Sequence, residues 1–146
     1  MRTQVGIIGC GPAGLVLSHL LSLRGIENVV LERQTRAYVE ARIRAGVLEQ
    51  GTVELLRETG VGARMDREGL VHDGVNLAFS ERMLRLDFRE RTGKAVMVYG
   101  QTEVTRDLIE ARLAAGGEVR FSAPAIAVKD FDSDRPRIIY EEEGER

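Results

Sequence analysis

Short apolar runs alternate along the chain with leucines at helical spacing. The first run, Val5–Ile8, has the length and the β-branched content of a buried strand. Leucines follow it up to Gly25, which we expect to end a helix over residues 15–24. The second run, residues 28–32, predicts the next strand. The pattern therefore predicts a strand–helix–strand unit, whose helical stripe consists of Leu15, Leu17, Leu20, Leu21 and Leu23.

The remaining elements follow the same two periodicities. Helices are predicted over residues 47–59, with Val53, Leu55 and Leu56 facing inward, and over residues 101–115, with an inward stripe of Val104, Leu108, Ile109 and Leu113. Strands are predicted over residues 69–79, 82–88, 95–99, 118–121, 125–131 and 137–142, while residues 33–46 are predicted to be less regular. We expect 118–121 to extend the parallel sheet, 82–88 to be a half-exposed antiparallel strand, and the last two strands to pair. The fold class is therefore α/β, with a parallel sheet and an antiparallel hairpin or meander.

A glycine-rich turn joins the first strand to the first helix. Gly9, Gly11 and Gly14 have the G-x-G-x-x-G spacing of a Rossmann-like dinucleotide-binding turn. These glycines allow the tight reversal, the approach of a pyrophosphate to bare backbone, and close packing of helix on strand. Glu32 ends the second strand, where such a unit places an acid that accepts hydrogen bonds from a ribose. A glycine turn without a ligand is the alternative, and the position of Glu32 favours dinucleotide binding.

Composition and charge exclude several other functions. The net charge of −2 gives no basic surface for nucleic acid or for an anionic membrane. No apolar run is long enough to span a membrane, and no signal peptide is recognisable. Cys10 is the single cysteine, so we expect no intrachain disulfide, a reducing cytoplasm, and a small filler side chain within the turn. No Cys/His cluster indicates a metal site.

Arginines follow the strand that carries Glu32. Arg33, Arg42 and Arg44 are expected at the ligand-binding edge of the parallel sheet. Their guanidinium groups can pair with a diphosphate or with a 2′-phosphate. The alternative is a solvated basic surface.

The acidic end of the chain, residues 141–146, is more typical of the outer end of a hairpin strand than of the close of a domain. A parallel sheet of about three strands also leaves an edge unpaired, which proteins avoid. We therefore expect residues 1–146 to be the N-terminal portion of a larger protein, or a cut product of one.

Three blocks of sequence resemble the 4-hydroxybenzoate 3-monooxygenases, which are single-component flavoprotein aromatic hydroxylases. The blocks are residues 42–51 (RIRAGVLEQG), 69–75 (GLVHDGV) and 99–108 (YGQTEVTRDL), and the similarity extends over essentially all 146 residues. The resemblance implies that the chain is the N-terminal portion of the FAD/NAD(P)-binding domain of a homodimeric enzyme. That enzyme would use FAD, NADPH and O₂ to hydroxylate 4-hydroxybenzoate to 3,4-dihydroxybenzoate. The 146-residue chain alone is expected to be inactive and to retain FAD weakly or not at all.

The same resemblance implies the site residues. FAD would be bound by Gly9, Gly11, Ala13, Gly14 and Glu32, by the flavin-facing stretch Arg42, Ile43, Arg44, Ala45, Gly46 and Val47, and by Gln101 at the ribityl chain. NADPH would contact Arg33, Gln34, Tyr38, Arg42 and Arg44. His72 would be the solvent end of a proton relay that deprotonates the phenol, a role for which an imidazole is suited. Gln101 could instead be a plain helix-start residue, and His72 a surface or packing histidine. The substrate-holding residues of the family fall beyond Arg146.

Two other functions remain open from the sequence. The chain could be an isolated dinucleotide-binding module without catalytic activity. It could also be the coenzyme domain of an NAD-dependent dehydrogenase, because the same strand–helix–strand unit serves both kinds of protein. The absorbance spectrum of the purified full-length protein would distinguish a flavoprotein from a colourless dehydrogenase.

Overall fold

A computed structural model describes residues 1–141 of the chain. Glu142, the predicted end of the last strand, and the rest of the acidic terminus lie outside the described residues. The chain separates into two compact units: unit 1 comprises Met1–Arg42 with Thr102–Arg146, and unit 2 comprises Ile43–Gln101.

Both units contain helices and strands. In chain order they are β1 (Val5–Ile8), α1 (Pro12–Leu23), β2 (Asn28–Leu31), α2 (Arg36–Ala41), β3 (Val47–Leu48), α3 (Gln50–Glu58), α4 (Ala63–Glu68), β4 (Leu70–His72), β5 (Gly74–Phe79), β6 (Arg82–Asp87), α5 (Phe88–Thr92), β7 (Val96–Val98), α6 (Gln101–Ala114), β8 (Glu118–Arg120), β9 (Ala125–Lys129) and β10 (Arg137–Tyr140). Among the helices of residues 1–141, none has the length and apolar character needed to cross a membrane.

Unit 1 is built on a parallel sheet of order β1-β2-β8. Its central strand, β2, is buried at all four positions because both of its faces are covered. Alternate residues of a strand point to opposite faces. Asn28 bonds to α1 on one face, while Val29 and Leu31 pack against the β9–β10 hairpin on the other. The end of β2 that leads to Glu32 is thus anchored in the buried core of the unit.

Unit 2 contains a small antiparallel sheet of order β3-β7-β4 and a separate hairpin, β5–β6. Its buried side chains come from α3, α4, β7 and the residue after β7: Val53, Leu56, Met65, Met97 and Tyr99. Gly69 lies where a Cβ atom would come 2.6 Å from the carbonyl oxygen of Met65, a main-chain atom that cannot move aside easily, so this position favours glycine.

The structure confirms the predicted parallel unit and the hairpin. α1 joins β1 and β2, β8 adds in parallel, and β9 pairs antiparallel with β10. Gly25 follows α1 with φ of +68°, the left-handed conformation expected after a helix. The first helix begins at Pro12, three residues before the leucine stripe, and Pro12 occupies the first turn, where its missing N–H is not needed.

Within residues 33–59, the structure adds a short helix that was not predicted, and the predicted start of the next helix is wrong. Residues 33–46 are not wholly irregular, since α2 forms there with the hydroxyl of Thr35 accepting a hydrogen bond from the Tyr38 N–H at its N-terminus (3.2 Å). The helix predicted over residues 47–59 begins only at Gln50. Val47 and Leu48 form strand β3 instead, because they pair with Val98 and Met97 of β7.

The prediction for residues 69–79 is also wrong, because two strands with different partners replace the single one. β4 pairs with β7, whereas β5 pairs with β6. The break is at Asp73, whose carboxylate pairs with Arg85 (2.7 Å) and whose carbonyl accepts the Phe88 N–H (2.6 Å). The short helices α4 and α5 were not predicted.

Burial predictions for five elements are wrong as well. Strand β1, predicted to be buried, has only Ile7 buried. In α1, Leu17 and Leu23 are 46% and 57% exposed, while Ser18 and His19 are buried in their place. Leu113 of α6 is exposed, and Leu55 of α3 is only partly buried. Strand β6 is exposed at four consecutive positions instead of alternating, because within unit 2 the hairpin pairs only with itself.

Candidate functional site

The glycine turn presents bare backbone at the N-terminus of α1. Gly9 has φ of +106°, which an L side chain rarely adopts. A Cβ atom at Gly14 would overlap the carbonyl oxygen of Gly9, whereas one at Gly11 would have nothing within 4 Å. Gly11 is the N-cap residue, and no side chain caps the helix. The first-turn N–H groups are therefore not capped by a side chain, and they lie at the positive end of the helix dipole.

The Glu32 carboxylate is bound to this turn by two backbone N–H groups. The Cys10 N–H donates to Oε2 (2.8 Å) and the Gln34 N–H donates to Oε1 (2.9 Å). Hydrogen bonds to an ionised acceptor are stronger than neutral ones, so the carboxylate is held in one orientation. A carboxylate has about four lone-pair sites, and these two bonds leave acceptor capacity for a pair of hydroxyl groups.

Cys10 is 1% exposed, which agrees with the filler role predicted for it. Burial, and secondarily the charge of Glu32, raise the pKa of its thiol to about 12. The thiol therefore stays protonated at physiological pH, and a nucleophilic role does not fit this site.

The predicted coenzyme residues of unit 1 lie on and beside α2. Gln34 contributes its backbone N–H to Glu32, while Arg33 is exposed and forms no ion pair with residues 1–141. The guanidinium carbon of Arg42 lies 5.9 Å from the centre of the Tyr38 ring, at the outer limit of a cation–π contact. Tyr38 and Arg42 thus form an exposed aromatic–cation pair one turn apart.

The predicted flavin-facing stretch is residues 42–47, of which residues 43–47 are the first segment of unit 2. The Gln101 N–H donates to the Ala45 carbonyl (2.9 Å), and the Tyr99 N–H donates to the Gly46 carbonyl (2.8 Å). The structure thereby brings Gln101, at the first position of α6, beside Ala45 and Gly46. The side chains of Ile43 and Val47 are 87% and 60% exposed, and Arg44 is exposed without an ion pair to residues 1–141.

His72 is the last residue of β4, opposite Val96 of β7, and its side chain is exposed. Val47 lies in the same sheet on the other side of β7. The structure thus places His72 and the end of the flavin-facing stretch on strands that share one neighbour. The residue after His72, Asp73, is paired with Arg85.

Unit 1 therefore brings together Gly9, Gly11, Ala13, Gly14 and Glu32 around the start of α1, with Arg33, Gln34, Tyr38 and Arg42 following in the chain. Unit 2 brings together residues 45–47 and Gln101, with His72 two strands away. Sequence reasoning did not foresee that the main-chain N–H groups of Cys10 and Gln34 hold Glu32. No side-chain signal could have revealed them, since any residue but proline carries that N–H.

Residues 2–146 match the FAD binding domain family. The chain belongs to this family. It is 43% identical to the p-hydroxybenzoate hydroxylase of Acinetobacter baylyi over 145 residues, which are 99% of this chain and 36% of that protein. It is also 32% identical to a phenol 2-monooxygenase from a Pseudomonas species over 73 residues, and this match covers 50% of this chain and 12% of that protein. Nearly the whole chain matches the hydroxylase, but the match spans little more than a third of the hydroxylase's length.

A solved structure shares the fold. PqsL of Pseudomonas aeruginosa, in complex with 2-aminobenzoylacetate, superposes with a TM-score of 0.82 at 22% identity, covering 93% of this chain and 38% of that protein. The similarity supports the predicted α/β fold with a parallel sheet and antiparallel strands.

The residues of this FAD-binding domain fit the nucleotide end of FAD. A dinucleotide needs open backbone N–H groups for its diphosphate, and the uncapped turn at Gly11 supplies them. It also needs an oriented acceptor for the adenosine ribose, and the Glu32 carboxylate, which the Cys10 and Gln34 N–H groups orient, has the chemistry of such an acceptor. Within residues 1–141, no cluster of three or more His, Cys, Asp or Glu side chains could hold a metal ion.

Proposed function

We propose that this chain is the N-terminal portion of the FAD/NAD(P)-binding domain of an NADPH-dependent 4-hydroxybenzoate 3-monooxygenase. The observation that carries the proposal is the 43% identity with p-hydroxybenzoate hydroxylase over 99% of the chain. In the proposed reaction, 4-hydroxybenzoate, O₂, NADPH and a proton give 3,4-dihydroxybenzoate, NADP⁺ and water. One oxygen atom enters the ring and the other leaves as water.

Unit 1 holds the nucleotide half of FAD in this proposal. The N–H groups at Gly11, Ala13 and Gly14 bind the diphosphate at the positive end of α1, and Glu32 accepts hydrogen bonds from the ribose. The bound flavin supplies the electron transfer and oxygen chemistry. The protein supplies position, and the buried strand β2 keeps Glu32 at a constant place relative to the turn.

Unit 2 provides contacts to the rest of the cofactor and a route for a proton. Arg44 pairs with the diphosphate, the backbone of residues 45–47 lines the flavin, and Gln101 bonds to the ribityl chain. His72 exchanges with solvent the proton that the substrate hydroxyl releases, because a phenol reacts readily only when ionised. The exposure of His72 suits the outer end of such a relay.

The exposed arginines favour NADPH as the reductant. Arg33 and Arg42 are exposed and form no ion pairs within residues 1–141, so their guanidinium groups can pair with the 2′-phosphate that distinguishes NADPH from NADH. Tyr38 can stack on the coenzyme while Arg42 lies against the Tyr38 ring.

We also propose that the full-length enzyme is a cytoplasmic homodimer. Light scattering after size-exclusion chromatography would test the dimer.

The proposal is tested with the full-length protein. We expect a yellow protein with flavin absorbance bands that oxidises NADPH much faster when 4-hydroxybenzoate is present, and we expect 3,4-dihydroxybenzoate as the product by chromatography. Benzoate, which lacks the hydroxyl group, is the matched control and should yield no hydroxylated product. A colourless protein that binds NAD would instead support the dehydrogenase alternative, and equal NADPH oxidation with and without 4-hydroxybenzoate would contradict the substrate assignment.

A further inference from the structure

A buried polar junction connects α1, β2 and α6 inside unit 1. The Arg112 Nε–H donates to the Ser18 hydroxyl oxygen (2.8 Å), and the Ser18 hydroxyl donates to the Asn28 Oδ1 (2.5 Å). The Asn28 Nδ2 donates in turn to the carbonyls of Ser18 (3.3 Å) and Ile26 (3.0 Å). Arg112, Ser18 and Asn28 are 2%, 0% and 7% exposed. The chain of donors and acceptors runs in one direction, which specifies both the amide orientation of Asn28 and the hydroxyl rotamer of Ser18.

Stability alone does not account for Arg112. Its Nη1 is buried and has no hydrogen-bond partner among residues 1–141, and no carboxylate there forms an ion pair with it. Burial lowers the pKa of its guanidinium, since desolvation disfavours the charged form. An apolar side chain of similar volume is often as stabilising as a buried charge, or more so. What an apolar side chain cannot supply is the directional bond to Ser18.

The local backbone accommodates this arginine. A Cβ atom at Gly117 would overlap the guanidinium of Arg112, so the glycine after α6 leaves room for it. The Gly117 N–H donates to the Arg112 carbonyl (2.8 Å). The guanidinium group and the main-chain carbonyl of Arg112 therefore both lie beside Gly117, just after the end of α6.

The junction lies next to the elements that form the proposed cofactor site. Ser18 is one helical turn after Gly14 on α1, and Asn28 opens the strand β2 that leads to Glu32. At the other end of the same two elements, the Cys10 N–H bonds to the Glu32 carboxylate. The separation between the diphosphate contacts and the ribose contact depends on how far α1 is shifted along β2.

We propose that Ser18, Asn28 and Arg112 are positioning residues that set the register of α1 against β2 and so hold the glycine turn and the Glu32 carboxylate at the separation that FAD requires. This inference rests on the proposed FAD site. It predicts that loss of the junction weakens FAD binding more than it weakens the fold.

The test uses the full-length apoprotein, with FAD affinity measured by fluorescence titration and stability by the urea midpoint. Ser18→Ala and Arg112→Met break the junction. Ser22→Ala on α1 and Ile109→Val on α6 are matched controls, because Ser22 forms no side-chain hydrogen bond to residues 1–141 and the Ile109 side chain is buried and apolar.

We expect both junction variants to raise the FAD dissociation constant about tenfold. That factor corresponds to the loss of one hydrogen bond to a charged group, which here is the bond between Arg112 and Ser18. Arg112→Met should keep or raise the urea midpoint, because it removes a buried charge. Ile109→Val should lower the midpoint with little change in FAD affinity. The inference is wrong if the junction variants bind FAD as tightly as the controls, or if FAD affinity falls only in proportion to the midpoint.

A double-mutant cycle with Glu32→Gln separates positioning from general loosening. If the junction acts through the placement of Glu32, Ser18→Ala should change FAD affinity by less than about twofold when Glu32 is already replaced. An unchanged tenfold effect in that background would overturn the inference. If the wild-type protein binds no FAD at all, the proposed function is wrong. If the wild-type protein binds FAD and the junction variants bind it equally tightly, only the positioning inference is wrong.

Discussion

The glycine turn with Glu32 and the arginine-bearing stretch at residues 42–47 differ in how they are built. Around the turn, main-chain atoms form the contact surface, the geometry depends on the close approach of Gly14 to Gly9, and Glu32 is held by two N–H groups. Along residues 42–47, side chains project into solvent, and Arg44 has no ion pair to residues 1–141. At the turn, a substitution that alters the proposed cofactor contacts is therefore expected to alter the fold as well, whereas side chains of the second region should be replaceable with little effect on the fold.

The largest effect is expected for Gly14→Ala. Its methyl group would overlap the Gly9 carbonyl, which is main chain and cannot move aside without deforming the turn. We expect a loss of stability of about 1–3 kcal/mol, as for other overpacked sites, together with loss of measurable FAD binding. Urea denaturation and FAD titration of the full-length protein would measure both.

Gly11→Ala is the matched control for that variant. A Cβ atom there meets nothing within 4 Å, so the apoprotein should be as stable as the wild type while FAD affinity falls. If Gly14→Ala left both stability and FAD affinity intact, the close packing of helix on strand would not be a requirement of this site.

An intermediate effect is expected for Arg44→Met. Loss of a charge-assisted bond to the diphosphate should weaken FAD binding by about tenfold to a hundredfold, and the remaining affinity should depend less on salt. Stability should change by less than about 0.5 kcal/mol, because the side chain is exposed. Arg82→Met, on the exposed strand β6, is the control and should alter neither quantity. A large loss of stability in Arg44→Met would contradict the contrast between the two regions.

The smallest effect on FAD affinity is expected for His72→Asn. The side chain is exposed at the end of β4, so binding and stability should stay near wild type. Hydroxylation should slow by about tenfold or more at neutral pH, as expected for loss of a group that transfers a proton. Steady-state assays across a pH series would measure this, and added imidazole should restore part of the rate because the position is open to solvent. Unchanged turnover at every pH would return His72 to the surface-residue interpretation.

Prediction from sequence succeeded where neighbouring residues in the chain determine the conformation of an element. The β-branched run of β1, the glycine spacing and the left-handed Gly25 each depend on near neighbours, and each was predicted. It failed where a distant partner decides the outcome. Val47 and Leu48 continue the periodicity of α3 but form a strand with β7, and Ser18 is buried in place of leucine because Arg112 and Asn28 bond to it.

The sequence by itself determined the strand–turn–helix unit, the acid at the end of β2 and the membership of a dinucleotide-binding fold, because glycine conformations and short periodicities are properties of adjacent residues. The tertiary structure alone decided which N–H groups hold Glu32, that Gln101 lies beside Ala45, and that a buried arginine joins α6 to α1. These contacts join residues up to 94 positions apart. Their partners are chosen by packing and by the demand that buried polar groups be hydrogen-bonded, which no local pattern records.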